Sequence, residues 1–140
     1  MTTGVGSVLL ASVLALAATG CSGPEVIGEP YDGAGPGVLA THSADTGPAA
    51  GWVTVGERFF VTTYGSSSCP TAPTAVETGV RGPIVTMSRT GGNACTADLG
   101  PASYALDLPG RFRGEGPVVV SLRFDDTPDV DVELPLSASP

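Results

Sequence analysis

The chain has 140 residues, of which 14 are acidic and six are basic, so its formal net charge is −8. This acidic balance argues against nucleic-acid binding, because contacts between basic side chains and phosphates supply most of that affinity. It also argues against a polybasic attachment to anionic lipids. The chain has no lysine and a single histidine, His42, which leaves few groups suited to general base catalysis.

An uncharged, mostly apolar segment lies near the start of the chain, at residues 8–18. It is shorter than the roughly 17–25 residues that a membrane-spanning helix needs. Its length is typical of the apolar core of a secretory signal peptide. The small residues of the motif Ala18-Thr19-Gly20-Cys21 follow it.

A short apolar segment, small residues and then a cysteine resemble the export signal of bacterial lipoproteins. In that family the cysteine thiol receives a diacylglyceryl group, and cleavage leaves the cysteine as the new amino terminus. The resemblance therefore implies a signal peptide at residues 1–20, cleavage between Gly20 and Cys21, and lipidation of Cys21 with acyl chains such as palmitate. It also implies a lipid-anchored location on the extracytoplasmic side of the cell membrane. The alternative is an ordinary cleaved signal peptide, in which Cys21 carries no lipid.

Residues 21–50 form a predicted linker behind the lipidated cysteine. This segment is rich in glycine and proline, and Tyr31 is its only aromatic residue. Such a chain cannot bury enough apolar surface to offset its ordering entropy. A flexible linker of this length spans about 30 Å, so we expect it to hold the folded domain clear of the lipid headgroups.

Residues 51–140 form a predicted all-β domain, because short β-branched and aromatic runs alternate there with turn-forming residues. Period-two alternation is clearest in residues 118–124 and 130–134, and the turn formers between them predict an antiparallel hairpin. Tyr104, Leu106 and Leu108 alternate in the same way, so we expect them to face the same core. The predicted strands are residues 52–55, 58–64, 75–78, 84–89, 94–96, 103–108, 118–124 and 130–134. This pattern predicts a small antiparallel β-sandwich with an immunoglobulin-like architecture, and a small β-barrel is the alternative.

Two cysteines, Cys69 and Cys95, remain when Cys21 is assigned to the anchor. An even pair in an oxidising compartment predicts a disulfide. The alternative is a metal or redox pair, although the two residues lack the C-x-x-C spacing typical of such pairs.

Three serines, Ser66, Ser67 and Ser68, precede Cys69 and are candidate nucleophiles. They lack the G-x-S-x-G pattern of a nucleophile elbow, and a serine nucleophile needs a base within hydrogen-bond reach. The one histidine lies in the predicted linker. We therefore expect no catalytic residues and no enzyme activity, and we interpret the three serines as a polar loop with candidate ligand contacts.

An acidic cluster near the carboxyl terminus contains Asp125, Asp126 and Asp129, followed by Asp131 and Glu133. Carboxylate oxygens suit Ca²⁺, so the first three are candidate calcium ligands. Their spacing differs from that of an EF-hand loop, and the alternative is a solvated turn whose charged strand face discourages edge pairing. We therefore expect no metal and no other cofactor.

The segment from Gly65 to Pro70, then Cys95-Thr96-Ala97-Asp98, then a Tyr104-containing strand resembles small uncharacterised actinobacterial lipoproteins. The resemblance to that group implies a cellular location and a fold, and it implies no activity. The function that we predict is a membrane-anchored extracytoplasmic lipoprotein that serves as a binding or envelope-support module. Its partners would be the membrane, through the lipid anchor, and an envelope protein or a small ligand. The alternative is an accessory subunit or inhibitor of an extracytoplasmic enzyme or transporter.

Overall fold

A computed structural model describes residues 1, 23–32, 38–39, 46–114 and 116–134. The predicted lipidation site, Cys21, and the predicted signal peptide after Met1 lie outside these residues. No helix within the described ranges is long and apolar enough to cross a membrane. The strands are β1 (Glu29–Pro30), β2 (Val38–Leu39), β3 (Ala49–Thr54), β4 (Arg58–Gly65), β5 (Thr71–Thr78), β6 (Pro83–Arg89), β7 (Gly100–Asp107), β8 (Val118–Phe124) and β9 (Val130–Leu134).

The strands form two sheets that face each other. One sheet has the order β1-β7-β4-β3-β2, and the other has the order β5-β6-β8-β9. The two sheets are separate within the described part of the chain and do not close into a barrel. The predicted all-β sandwich is therefore confirmed, and the alternative of a small barrel is wrong.

One strand pair departs from the predicted antiparallel arrangement. Strands β6 and β8 pair in parallel, with Ile84 opposite Ser121 and Met87 opposite Phe124. The chain leaves β6, adds β7 to the other sheet and returns as β8, so it re-enters the sheet in the same direction. Parallel neighbouring strands need such a crossover connection. The alternation of residues within a strand does not predict whether its neighbour is parallel or antiparallel.

The core lies between the two sheets and follows the alternation of the sequence. Strand β8 buries Val118, Val120 and Leu122, and the antiparallel hairpin with β9 is confirmed. Leu106 and Leu108 are buried, and Tyr104 packs against the same core, as predicted. Each such Leu or Val side chain contributes about 1.5–3 kcal/mol when it is fully buried. From the two sheets, the core also receives Phe59, Val61, Val85, Met87, Val132 and Leu134.

Parts of the predicted linker belong to the sandwich. Strand β1 pairs with β7, and just before it the Ile27 N–H donates to the Pro73 carbonyl of β5 at 2.9 Å. After it, the Tyr31 ring stacks on Phe60 with 5.0 Å between ring centroids. Strand β2 pairs with β3, which begins at the buried Ala49 rather than after residue 50. The prediction of a flexible linker is wrong for these residues, because backbone pairing at a sheet edge requires no apolar side-chain pattern.

Two other strand predictions differ from the structure. Strand β5 begins at Thr71 rather than at residue 75, and Pro73 lies where its register with β6 shifts. Proline is tolerated at bulges and on edge strands such as this one. Residues 94–96 form no strand, and the prediction there is wrong because side-chain hydrogen bonds and a disulfide hold this segment instead.

Candidate functional site

A disulfide joins Cys69 and Cys95, whose Cα atoms lie 5.4 Å apart, so the predicted pairing is confirmed. Cys69 is buried beside the start of β5, and Cys95 lies in the connection between β6 and β7. The bond therefore fastens the β4–β5 loop to the β6–β7 connection at one end of the sandwich. Because both sulfur atoms are used in the disulfide, this pair offers no thiolate to a metal.

Gly91 allows the two loops to approach each other closely. Its φ is +92°, in the left-handed region that favours glycine, and an added Cβ would clash with the Ser68 carbonyl oxygen. The neighbouring Gly92 has open space around the corresponding position. A side chain at residue 91 would therefore push the loops apart, whereas one at residue 92 would not.

The three predicted loop serines contact the segment after Cys95. The Ser66 and Thr96 hydroxyl oxygens lie 3.0 Å apart, and the Thr96 N–H donates to Ser68 Oγ at 2.9 Å. The Ser67 N–H donates to Asp98 Oδ1 at 3.2 Å, and the Thr96 hydroxyl donates to the same carboxylate oxygen. We call these five residues the hydroxyl cluster. It is an exposed network that bridges the two loops beside the disulfide.

The Asp98 carboxylate is the charged group of the hydroxyl cluster. Hydrogen bonds from the Ser67 side chain, from Thr96 and from the Ser67 backbone N–H lower the pKa of Asp98 to about 2. Asp98 is therefore ionised at neutral pH. A base with so low a pKa accepts a proton poorly at that pH, so Asp98 is badly matched to the activation of a serine hydroxyl.

An open cleft of about 280 Å³ lies next to the hydroxyl cluster. Three stretches of chain line it: residues 30–32 at the end of β1, residues at the start of β7, and residues from the end of β4 to the start of β5. Ser66 and Ser67 belong to both the cleft and the cluster. The cleft therefore brings the predicted contact residues against Tyr31 and Asp32, which the sequence assigned to a linker. We call it the Tyr31 cleft.

The edge of β7 provides one wall of the Tyr31 cleft. Strand β1 pairs only with Ala105 and Tyr104, and the Tyr31 N–H then donates to the Ser103 carbonyl at 2.9 Å. Carbonyl groups two residues apart in a strand point to the same side. The Pro101 carbonyl is therefore directed past the end of β1, and proline has no N–H to accompany it. At Pro101, therefore, the edge offers a carbonyl acceptor without an accompanying N–H donor.

Asp32 carries the charge among the residues that line the Tyr31 cleft. Its side chain is exposed, whereas Tyr31 and Tyr104 are half-buried. Elsewhere in the wall, the Thr63 hydroxyl donates to the Thr71 carbonyl at 2.7 Å and joins β4 to β5. The cleft thus combines one carboxylate, two aromatic rings and several hydroxyl groups on a scaffold fixed by strand pairing.

The acidic turn is not assembled as a metal site. No group of three or more His, Cys, Asp or Glu residues in the described ranges is placed to hold a metal ion, so Asp125, Asp126 and Asp129 do not form one. Asp129 instead lies 3.7 Å from the Arg123 guanidinium. Asp131 pairs with Arg81 at 2.6 Å and accepts a hydrogen bond from Ser121, which lowers the pKa of Asp131. Neighbouring arginines therefore neutralise part of this charge.

Four residues of the site, Tyr31, Asp32, Thr96 and Asp98, were absent from the predicted set. The one available signal was Tyr31, as the lone aromatic residue in a segment rich in glycine and proline. Thr96 and Asp98 belong to the Cys95-Thr96-Ala97-Asp98 segment of the resemblance, but no local pattern marks them as site residues, because their contacts with the serine loop span about 30 positions of the chain.

Neither a scan against models of known protein families nor searches of curated proteins and of solved structures find a match to this chain.

Proposed function

We propose that this protein is an extracytoplasmic lipoprotein, anchored through acyl chains on Cys21, whose β-sandwich is a non-enzymatic binding module. The observation that carries the proposal is the Tyr31 cleft, which places Ser66 and Ser67 beside two tyrosines and a carboxylate. Concave sites with a few converging polar groups are the usual places for small ligands. The disulfide supports the extracytoplasmic part, because disulfides persist in oxidising compartments.

Binding fits the residues of this site better than catalysis does. The serine hydroxyls contact one another and Thr96, and the nearest carboxylate, Asp98, has a pKa of about 2. A serine nucleophile needs a base that accepts its proton near the working pH. Hydroxyl groups held in such a network are instead suited to donate and accept hydrogen bonds at a fixed position.

The short sequence separation between Cys21 and the sandwich supports a short tether. Ile27 bonds to β5 only six residues after Cys21, and six extended residues span at most about 20–22 Å. Strand β1 runs antiparallel to β7, with Glu29 opposite Ala105 and Pro30 opposite Tyr104. The chain before β1 therefore leads away from the start of β7, where the cleft lies. A protein that is lipidated at Cys21 would therefore stay near the bilayer.

The distribution of exposed apolar side chains favours a ligand over a broad protein interface. Val55 lies in the β3–β4 turn, Val80 in the β5–β6 turn and Leu99 before β7, and Val26 precedes β1. Contiguous apolar patches mark protein interaction sites, whereas scattered apolar side chains are normal on a surface. These four lie in four different connections of the described chain, whereas the cleft joins polar and aromatic groups in one lining, so the cleft supports a binding module more directly.

The anchoring part of the proposal is tested by Cys21→Ala, with Ser22→Ala as the matched control that keeps the cysteine. We expect wild type and the control to fractionate with membranes and to carry an acylated amino-terminal cysteine in mass spectra. The Cys21→Ala protein should remain unprocessed or leave the membrane fraction, because stable attachment needs two or more acyl chains. Equal processing and equal partitioning of all three proteins would refute the lipid anchor.

A further inference from the structure

We propose that the Tyr31 cleft binds a guanidinium or alkylammonium group. This inference rests on the proposed binding function and adds the chemical class of the ligand. It depends on three properties of the cleft: the sign of its charge, the acceptor groups along the β7 edge, and the flat apolar surfaces beside them.

The charge of the cleft disfavours an anionic ligand and favours a cationic one. Asp32 is the charged lining residue, and the ionised Asp98 accepts a hydrogen bond from the lining residue Ser67. All six arginines lie in the described ranges, and none of them lines the cleft. The whole chain carries a net charge of −8, which attracts cations to its surface over longer distances.

Two of the hydrogen-bonding groups of the cleft favour a ligand that donates. The Asp32 carboxylate accepts hydrogen bonds only, and strand alternation puts the Pro101 carbonyl on the same side of β7 as the Ser103 carbonyl that accepts from Tyr31. The Ser66 hydroxyl is already 3.0 Å from that of Thr96. Guanidinium and ammonium groups carry several N–H donors and no acceptor, so they complement this edge.

The aromatic residues supply the remaining contacts. The Tyr31 ring is fixed by stacking on Phe60, and it remains half-buried rather than enclosed. Cations bind over the faces of tyrosine rings, and a planar guanidinium also stacks on them. The cleft volume of about 280 Å³ lies just below the range typical of drug-sized ligands. It therefore suits one cationic side chain or a small organic cation.

The test is a titration of the whole chain in nonionic detergent, followed by amide chemical shifts in NMR spectra. The probes are N-acetylarginine amide, its neutral near-isostere N-acetylcitrulline amide, methylguanidinium and glucose. We expect the arginine probe to shift the resonances of Tyr31 and of β7, and to bind about 3- to 30-fold tighter than citrulline. Added salt should weaken its binding. Methylguanidinium tests whether the ligand is a free cation or an arginine side chain. If the arginine probe binds more tightly than methylguanidinium, the ligand is an arginine of a peptide.

Two variants locate the site. Asp32→Asn should weaken arginine binding by up to about fivefold, the range of an exposed ion pair. Asp126→Asn changes the net charge equally and lies in the β8–β9 turn, outside the cleft, so it should bind like wild type. Equal effects of the two variants, equal affinity for citrulline, or no shift with any probe would overturn the inference. Binding of glucose alone would overturn it as well, and the proposed binding module would then stand with another ligand class.

Discussion

Removal of the Cys69–Cys95 disulfide should lower the free energy of unfolding by about 3.5 kcal/mol. The two cysteines are 26 residues apart in the sequence, and the loop-entropy relation gives this value for a closed loop of that length at 25 °C. Small domains have a total free energy of unfolding of about 5–15 kcal/mol, so the loss is a large share of it. We therefore expect the Cys69→Ala, Cys95→Ala double variant to fold with a much smaller free energy of unfolding.

Urea denaturation followed by circular dichroism measures this loss. With a slope of about 1.75 kcal/mol per M, typical of small proteins, the midpoint should fall by about 2 M. Reduced wild-type protein is the matched control, because reduction opens the same loop without removing a side chain. If both proteins unfold within about 1 kcal/mol of oxidised wild type, the loop-entropy reasoning is wrong for this domain.

Two further predictions concern the loops that the disulfide joins. Gly91→Ala should destabilise the domain by at least about 1–2 kcal/mol, because residue 91 has a positive φ and an added Cβ would clash with the Ser68 carbonyl oxygen. The control Gly92→Ala should unfold close to wild type, because the space around that position is open. Equal denaturation midpoints for the two variants would contradict this prediction. The pKa of Asp98 is lowered from 3.8 to about 2, so its ionised form stabilises the fold fully above about pH 4, and this contribution disappears as the pH falls to about 2. Asp98→Asn should therefore lower the denaturation midpoint at neutral pH and match wild type at pH 2, and a difference independent of pH would refute the assignment.

The sandwich itself could be predicted because its strongest signals are local. Val120 and Leu122 are buried and alternate with the less buried Ser121 and Arg123, and this period indicates one buried face whatever the partner sheet is. The order of the strands could not be predicted in the same way. The parallel pairing of β6 with β8 depends on β7 crossing to the opposite sheet, and the residues of β6 and β8 do not predict that crossing.

The candidate site could be predicted only in part, for the same physical reason. The disulfide is predicted from the two cysteines that remain when Cys21 is assigned to the proposed anchor, and the serine loop is predicted from its position next to Cys69. Tyr31 and Asp32 lie beside that loop only because β1 pairs with the edge of β7. A strand of two residues is too short to show an alternating pattern in the sequence. Composition predicts no core for residues 21–50, and it cannot predict that an existing sheet edge pairs with some of them.

The same short segment connects the proposed anchor with the proposed binding site. Ile27 bonds to β5, β1 bonds to β7, and Tyr31 and Asp32 line the cleft. Glu29 adds an ion pair with Arg58 at 2.9 Å, but both side chains are exposed, so this pair contributes little. The segment is therefore held mainly by backbone hydrogen bonds and by the stacking of Tyr31 on Phe60. A ligand that packs against Tyr31 would stabilise these contacts, and a pull from the tether would act on them first.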